Sequence, residues 1–274
     1  MPGTLFIVAT PIGNLEDITL RARRILRECD WIACEDTRQT RKLLEHLNIS
    51  KPLVSYYEHN EAGRAGELVA KLEAGADVAL VSDAGTPLIS DPGYRVVTAA
   101  IDAGIPVVPI PGVTAAVSAL SGSGLATDSF RFCGFLPAKT SQRRKVLEQL
   151  KPETCTLIFY ETPHRILDAL KDVVAVMGAR PAVVARELTK IHEEFVRGTA
   201  AEIHAVLAGR PSIKGEITLL IGKAEAAAVM DETPLEDAVR AAEEQGLSRM
   251  DSIKRVAKER GLSKREVYRT ITGE

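Results

Sequence analysis

Short apolar runs recur along the chain, each followed by a longer stretch with helical spacing, and this alternation limits the possible folds more than any other feature. The runs cover residues 5–9, 31–34, 78–81, 106–110, 156–160, 182–185 and 217–221. Most are continuous Val/Ile/Leu segments, the pattern of strands covered on both faces. Helical spacing fills residues 18–28, 37–46, 62–74, 93–103 and 113–121 between the first five runs. Strand and helix in alternation predict an α/β fold with mainly parallel sheets. After Phe130 the pattern changes. "HEEFVRGTAAEI" and "GEITLLIGK" predict antiparallel strands that return to a sheet begun by "TLIFY".

At 274 residues the chain has room for two domains of roughly 100–200 residues each. "SGSGLATDSF" is small and flexible, and marks a boundary between two α/β domains. The division read from the sequence is 1–120, 121–226 and a C-terminal helical module at 227–274. The "AEAAAV" stretch bridges to that module. Thr233-Pro234-Leu235-Glu236 and Ser263-Lys264-Arg265-Glu266 both have capping-box spacing, and Gly261 can end the helix that precedes the second. Three short helices fit, the last two laid out as a helix-turn-helix. Residues 247–272 hold eight Lys/Arg against three Asp/Glu, a local excess of +5 in a chain of formal net charge -2.

That overall charge announces no global basic field for nucleic acid. Cys29, Cys34, Cys133 and Cys155 match no C-x-x-C spacing and read as buried thiols in a reducing cytoplasm. Met1 leads into "TLFIVAT" without a basic n-region or cleavage site, and no apolar run reaches the roughly 20 residues that span a bilayer. A soluble, cytoplasmic protein without a membrane partner is expected. His46, His59, His164, His192 and His204 are scattered and form no H-E-x-x-H, so no metal site is expected.

Ligands of open α/β sheets bind beyond the carboxyl ends of strands. Six such ends carry small, bent, polar loops: Thr10-Pro11-Ile12-Gly13-Asn14, Glu35-Asp36-Thr37-Arg38, Ser82 to Gly93, Pro111 to Ala115, Glu161 to Arg165 and Arg186 to Lys190. Glycines there let backbone approach a ligand closely, and prolines stiffen the turns. The chain has no G-x-G-x-x-G, no P-loop and no G-x-S-x-G elbow. A small polar organic cofactor without a pyrophosphate or triphosphate fits these loops better than ATP or NAD.

Taken in order, "VATPIGNLEDITLRA", "CEDTRQT", "SDAGTPLISDPG", "PGVTAA", "FYETPHR" and "ARELTK" resemble the ribosomal RNA small subunit methyltransferase I family, within the tetrapyrrole methylase superfamily. The resemblance runs from residue 8 to about 222. It implies two α/β domains with S-adenosylmethionine in the cleft between them, and a homodimer. It implies 2′-O-methylation of a cytidine ribose in the decoding region of 16S rRNA, in the small ribosomal subunit. By motif, the implied cofactor contacts are Pro11, Ser82, Asp83, Ala84, Ile89, Thr114, Ala115, Tyr160, Glu161 and Leu188. Ser82-Asp83-Ala84 replaces the Gly-Asp-Pro of the porphyrin and corrin branches, and the first loop is less glycine-rich than theirs.

A ribose hydroxyl is a weak nucleophile, so a general base would speed its attack by ~10²–10⁴-fold. Glu35, Asp36, Glu161, Glu187 and Lys190 are candidates at strand ends, and Glu35-Asp36 is the favoured pair because adjacent carboxylates raise one pKa. Asp36 is equally placed to cap the helix that starts near Thr37, and Lys190 to bind phosphate. Arg21, Arg23, Arg24 and Arg27, then Arg38, Arg41 and Lys42, then Lys139, Arg143, Arg144 and Lys145 offer cationic footing for RNA. Two alternatives stay open: a small-molecule methyltransferase of the tetrapyrrole kind, and a non-catalytic RNA-binding protein.

Overall fold

Parallel pairing unites the first five strands in the computed structural model, which describes residues 1–57, 59–224, 233–260 and 262–272. They are β1 (Leu5–Val8), β2 (Trp31–Cys34), β3 (Leu53–Ser55), β4 (Val78–Leu80) and β5 (Val107–Ile110), in the spatial order β3-β2-β4-β1-β5. The central strands β1 and β4 are the most continuous apolar runs, and Leu5, Val8, Val78, Ala79 and Leu80 are buried. Helices cover both faces, as a parallel sheet requires. Ala22, Ile25 and Leu26 of α1 (Leu20–Glu28) and Leu44 of α2 (Thr37–His46) pack on one face. Leu68 and Leu72 of α3 (Glu61–Glu73), with Val96 and Ala100 of α4 (Tyr94–Asp102), pack on the other. Strand β3 escapes the sequence reading because it is three residues long and only half-buried.

The second sheet has the order β6-β7-β10-β8-β9. Its strands are β6 (Phe130–Phe135), β7 (Thr156–Glu161), β8 (Pro181–Arg186), β9 (Glu194–Thr199) and β10 (Ile217–Ile221). β6 runs parallel to β7, and every other pair is antiparallel, as "HEEFVRGTAAEI" and "GEITLLIGK" predict. One face is covered by α6 (Thr140–Leu150), α7 (Ile166–Met177) and α8 (Ala200–Ala208), through Leu147, Leu170, Val173 and Ile203. The other is covered by α5 (Ala115–Ser123), whose Ala116, Ala119 and Leu120 meet Ile158, Val183 and Leu220. A division of the chain after residue 120 therefore parts α5 from the sheet that it covers.

The chain forms two compact units, Met1–Lys223 and Ala224–Glu274. In the second, α9 (Leu235–Glu244), α10 (Arg249–Glu259) and α11 (Lys264–Thr272) enclose Val239, Ile253, Val256, Ala257 and Val267. The capping box at Ser263 forms: Glu266 N–H donates to Ser263 Oγ at 3.2 Å, and Ser263 N–H to Glu266 Oε2 at 2.7 Å. The N-cap of α9 falls one residue later than the expected Thr233. Pro234 takes the N-cap position, and it has no side-chain acceptor to offer. The "AEAAAV" bridge from residue 225 onward, and Gly261, lie outside the described residues.

Cys29, Cys34 and Cys155 are buried, and burial pushes the Cys29 thiol up to about 11. Among the described residues no helix is long and apolar enough to cross a membrane.

Candidate active site

The parallel direction of the first sheet brings the loops after β1, β4 and β5 to one edge, and hydrogen bonds join them there. Thr10 N–H donates to Gly85 O at 2.9 Å, and Gly85 N–H returns a bond to Thr10 O at 3.0 Å. The Thr10 hydroxyl donates to Ser82 O at 3.1 Å, and the Thr86 hydroxyl to Val113 O at 2.9 Å. The ends of β7 and β8 form the opposing wall. Because β10 is antiparallel to both, its first residue lies beside their last ones, with Ile217 opposite Glu161 and Arg186.

These segments line a cavity of about 300 Å³. Of the cofactor contacts that the resemblance implies, Ala84, Ile89, Thr114, Ala115, Tyr160, Glu161 and Leu188 are on its wall. Pro11 and Ser82 are buried without lining it, and Asp83 accepts from Asp36 N–H at 3.1 Å. Five of the six strand-end loops thus supply lining residues, and the loop after β2 stands behind the others.

The loop after β4 is bent into a rarely populated conformation. Gly85 has φ +86°, Leu88 +71°, Ser90 +68° and Gly93 +144°. A left-handed Leu or Ser costs roughly 1–3 kcal/mol, so such residues persist only where their surroundings hold them. Here the Glu61 carboxylate holds the far end of the loop, accepting from Gly93 N–H at 3.0 Å and from the Tyr56 hydroxyl at 3.0 Å. Gly93 also has no room for a side chain, since a Cβ there would lie 2.9 Å from Leu80 Cδ2.

The three residues with expected catalytic roles lie outside the lining. Asp36 accepts from Arg38 N–H at 2.8 Å, capping α2, and pairs with the Arg38 guanidinium at 2.7 Å. That guanidinium holds its carboxyl down at about 2, which makes it a poor proton acceptor. Glu35 is exposed, and its charge bears on Asp91. Lys190 Nζ meets Glu187 Oε1 at 2.9 Å and Glu216 Oε2 at 3.1 Å. Burial alone would lower its pKa, but these two carboxylates outweigh burial and raise it. Lys190 is thus held as an ammonium, unsuited to act as a base. Glu187 adopts φ +51°, and its own pKa is lowered by Lys190.

Glu161 is buried at the end of β7, accepting from Thr162 N–H at 2.8 Å and pairing with Arg165 at 3.2 Å. Burial raises its pKa against those partners. Tyr160 stacks edge-on against Phe132 at 4.8 Å and Phe135 at 5.8 Å, and burial raises its pKa too.

The sequence reading passes over Asp91, Phe135 and Gly215–Thr218, which also line the cavity. Asp91 sits in an Asp-Pro-Gly that reads as a turn; its signal is a second carboxylate within the same strand-end loop as Asp83. Phe135 is brought to the wall by an irregularity in β6, where Gly134 takes φ +67° and the pairing shifts register. Gly215–Thr218 reach it only because β10 runs against its neighbours. One expected phosphate ligand is withdrawn: Arg143 is buried, with Nε on Asp172 Oδ2 at 2.6 Å. Lys139, Arg144 and Lys145 beside it are exposed, as are the four arginines of α1 and Arg38, Arg41 and Lys42 of α2.

Comparison with known proteins agrees with this arrangement. Residues 4–204 match the family model for Tetrapyrrole (Corrin/Porphyrin) Methylases. The ribosomal RNA small subunit methyltransferase I of Synechocystis sp. is 48% identical over 269 residues, which cover 97% of this chain and 96% of that protein. The Halalkalibacterium halodurans protein of the same name is 53% identical over 220 residues, 80% of this chain and 75% of its own. Among solved structures, a Thermus thermophilus uroporphyrin-III C-methyl transferase complexed with S-adenyl homocysteine shares the fold, with a TM-score of 0.57. It is 19% identical and covers 80% of this chain and 97% of that one. A diphthine synthase superposes with a TM-score of 0.61 at 14% identity, covering 80% of this chain and 89% of its own. By the matched model and by these relatives, the chain belongs to the tetrapyrrole methylase family, in its ribosomal RNA small subunit methyltransferase I group.

Proposed function

We propose that this protein transfers a methyl group from S-adenosylmethionine to ribosomal RNA of the small subunit, at the 2′-hydroxyl of a cytidine ribose in the decoding region of 16S rRNA. The observation that carries the reading is the charge of the cavity. Among the described residues that line it, Asp91, Glu161 and Glu216 are carboxylates, and none is lysine or arginine. Such a wall suits a cationic ligand and repels a polyphosphate. S-adenosylmethionine, when bound, supplies a methyl group activated on a positively charged sulfur. The residues present fit it: Ile12, Ile89, Ala115 and Leu188 offer apolar wall, and Thr86, Thr114 and Thr218 offer hydroxyls. Gly85, at φ +86°, lets the loop lie close against this wall, since a Cβ there would press on Ile12 Cγ2 at 3.2 Å.

The acceptor side rests on the relatives. Proteins named for ribosomal RNA match the chain almost end to end, whereas the porphyrin enzyme shares the fold alone. This favours RNA over a tetrapyrrole. The exposed arginines of α1 and the cations of α2 suit phosphate contact. A nucleotide in folded RNA must be extruded to reach a cavity of this kind. We read the working form as a cytoplasmic homodimer.

The test is incubation of the protein with methyl-labelled S-adenosylmethionine and small subunits from a strain that lacks the modification. Nuclease digestion and mass spectrometry should return the label as 2′-O-methylcytidine from the decoding region. Label on a base, on another nucleotide, or on no RNA would refute the assignment.

A further inference from the structure

The C-terminal unit is polarised in charge. α9 carries four carboxylates and one arginine. Residues 249–272, which span α10 and α11, carry eight Lys/Arg and three Asp/Glu. Those three carboxylates are taken locally. Asp251 accepts from the Ser248 hydroxyl at 2.7 Å and pairs with Lys254 at 2.9 Å, Glu259 pairs with Arg255 at 2.9 Å, and Glu266 accepts from Ser263 N–H. Arg249, Lys258, Lys264, Arg265 and Arg269 are exposed, and among the described residues no carboxylate forms an ion pair with them. Stability does not account for their positions. Arg249 opens α10, and Lys264 and Arg265 open α11, where the positive end of the helix dipole opposes a cation. Arg269 stands one turn from Arg265, and like charges at that spacing repel. The Asp251 carboxyl is lowered chiefly by Lys254, then by Ser248, and also by the charge of Lys264, so the starts of α10 and α11 lie close together.

Resting on the function proposed above, we infer that the exposed cations of α10 and α11 dock a double-helical segment of the substrate RNA through its phosphates, without reading sequence. Unpaired cations on a rigid surface suit a polyanion, which releases its counterions on contact. Base readout lacks its usual groups here. Neither helix carries Asn or Gln. The Thr270 hydroxyl donates to Glu266 O at 3.0 Å and that of Thr272 to Tyr268 O at 2.8 Å, so both are spent on α11 itself. Arginine reads guanine in a wide major groove, but the major groove of an RNA helix is too deep and narrow for side chains to read. Phosphates and ribose hydroxyls are what such a face can reach, and contacts to them position without specifying. A single-stranded partner calls for successive aromatic side chains on which bases stack. α10 and α11 have one, Tyr268, 43% exposed and one turn from Lys264. The face therefore holds the RNA and takes no part in methyl transfer.

The test is a full-length variant with Lys264→Gln, Arg265→Gln and Arg269→Gln, beside a second with Arg265→Lys and Arg269→Lys. One readout is affinity for a short RNA duplex, unrelated in sequence to 16S rRNA, as salt is raised. The other is steady-state methylation of small subunits. The glutamine variant should lose about 2–3 from the log–log salt slope on the duplex. It should raise KM for small subunits by ~10–10²-fold near about 0.1 M salt and leave kcat unchanged. The lysine variant should keep the wild-type slope, since a phosphate accepts either cation. A glutamine variant with the wild-type slope and KM overturns the inference, as does one whose kcat falls at constant KM. Weakened binding to subunits with unchanged affinity for the duplex would assign the face to a ribosomal protein and overturn the RNA partner. A lysine variant as weak as the glutamine one would overturn contact by charge alone. The duplex readout needs no methyl transfer, so a wild type that methylates no RNA overturns the proposed function while this inference is still decided by the slope.

Discussion

The ion pair behind the cavity wall gives the most demanding prediction about the fold. Arg143 and Asp172 have side chains only 3% exposed. Asp172 accepts from Arg143 Nε and from Arg144 Nε, both at 2.6 Å. Arg143 also donates to Pro137 O at 3.2 Å and to Ala138 O at 3.0 Å. These bonds set the turn between β6 and α6. That turn begins beside Leu136, whose carbonyl accepts from Arg165, the partner of the cavity's Glu161. Arg143→Ala strands one Asp172 oxygen and two carbonyls. Arg144, half exposed, still neutralises part of the charge. Removing one partner of a buried pair costs about 3–5 kcal/mol. The remaining Arg144 places this case at the lower end, about 3 kcal/mol. For a unit of this size each kcal/mol moves Tm by roughly 2–4 °C, so calorimetry of the full chain should show a fall of roughly 6–12 °C. Arg143→Met with Asp172→Leu should recover much of that loss, because it removes the buried charge together with its partner. A single variant within about 1 kcal/mol of wild type, or a double variant at the sum of two large losses, would refute the reasoning.

Gly93→Ala should destabilise the chain by about 1–3 kcal/mol, since φ +144° and a Cβ 3.0 Å from Leu88 Cγ strain the loop. It should weaken calorimetric binding of S-adenosylhomocysteine as well, and unchanged affinity would show that the loop does not shape the site. Glu194 is held near 2, chiefly by Arg210 and also by Arg186, against burial. A depressed folded value means stability that is present above the ordinary 4.5 and drains away as pH falls toward 2. Urea midpoints over that range should therefore fall more steeply for wild type than for Glu194→Gln, and parallel curves would contradict the pairing. Arg23→Ala and Arg27→Ala on the exposed face of α1 should each weaken binding to small subunits and reduce the log–log salt slope by about 1. A slope equal to wild type would remove α1 from the RNA surface.

The first sheet was legible because parallel strands carry their own signature. β1, β2, β4 and β5 are short apolar runs, and a strand buried on both faces can be little else. The helices between them were legible for the complementary reason: α1 shows its Ala22, Ile25 and Leu26 stripe against four arginines. The three-helix tail was read from its spacing, although Pro234 rather than Thr233 opens α9. Elements without such contrast were missed. β3 is half-buried along its whole length, and β6 is broken by Gly134 and begins only where the linker-like stretch ends, at Phe130. Arg143 shows the limit for charged residues. It looks like its neighbours Arg144 and Lys145 in one dimension, and only the arrival of Asp172 from α7 makes it a buried residue.

The site was legible as far as strand direction could carry it. A parallel strand puts its following loop at a known edge, so the strand-end loops could be placed from direction, while Ala84, Thr114, Glu161 and Leu188 within them were named from the family resemblance. The same rule misdirects in two places, and both have one cause. A loop at the right edge does not by itself face the cavity: Asp36 is turned aside by its own helix, whose first N–H groups it caps, and Lys190 by the two carboxylates that claim it. Conversely, Glu216 and Thr218 face the cavity from the start of β10, where a parallel sheet would have no site, because β10 is antiparallel to β7 and β8. Candidate bases chosen for being at strand ends were thus chosen on half of the needed condition. The other half is the absence of a local partner, which strand position does not reveal.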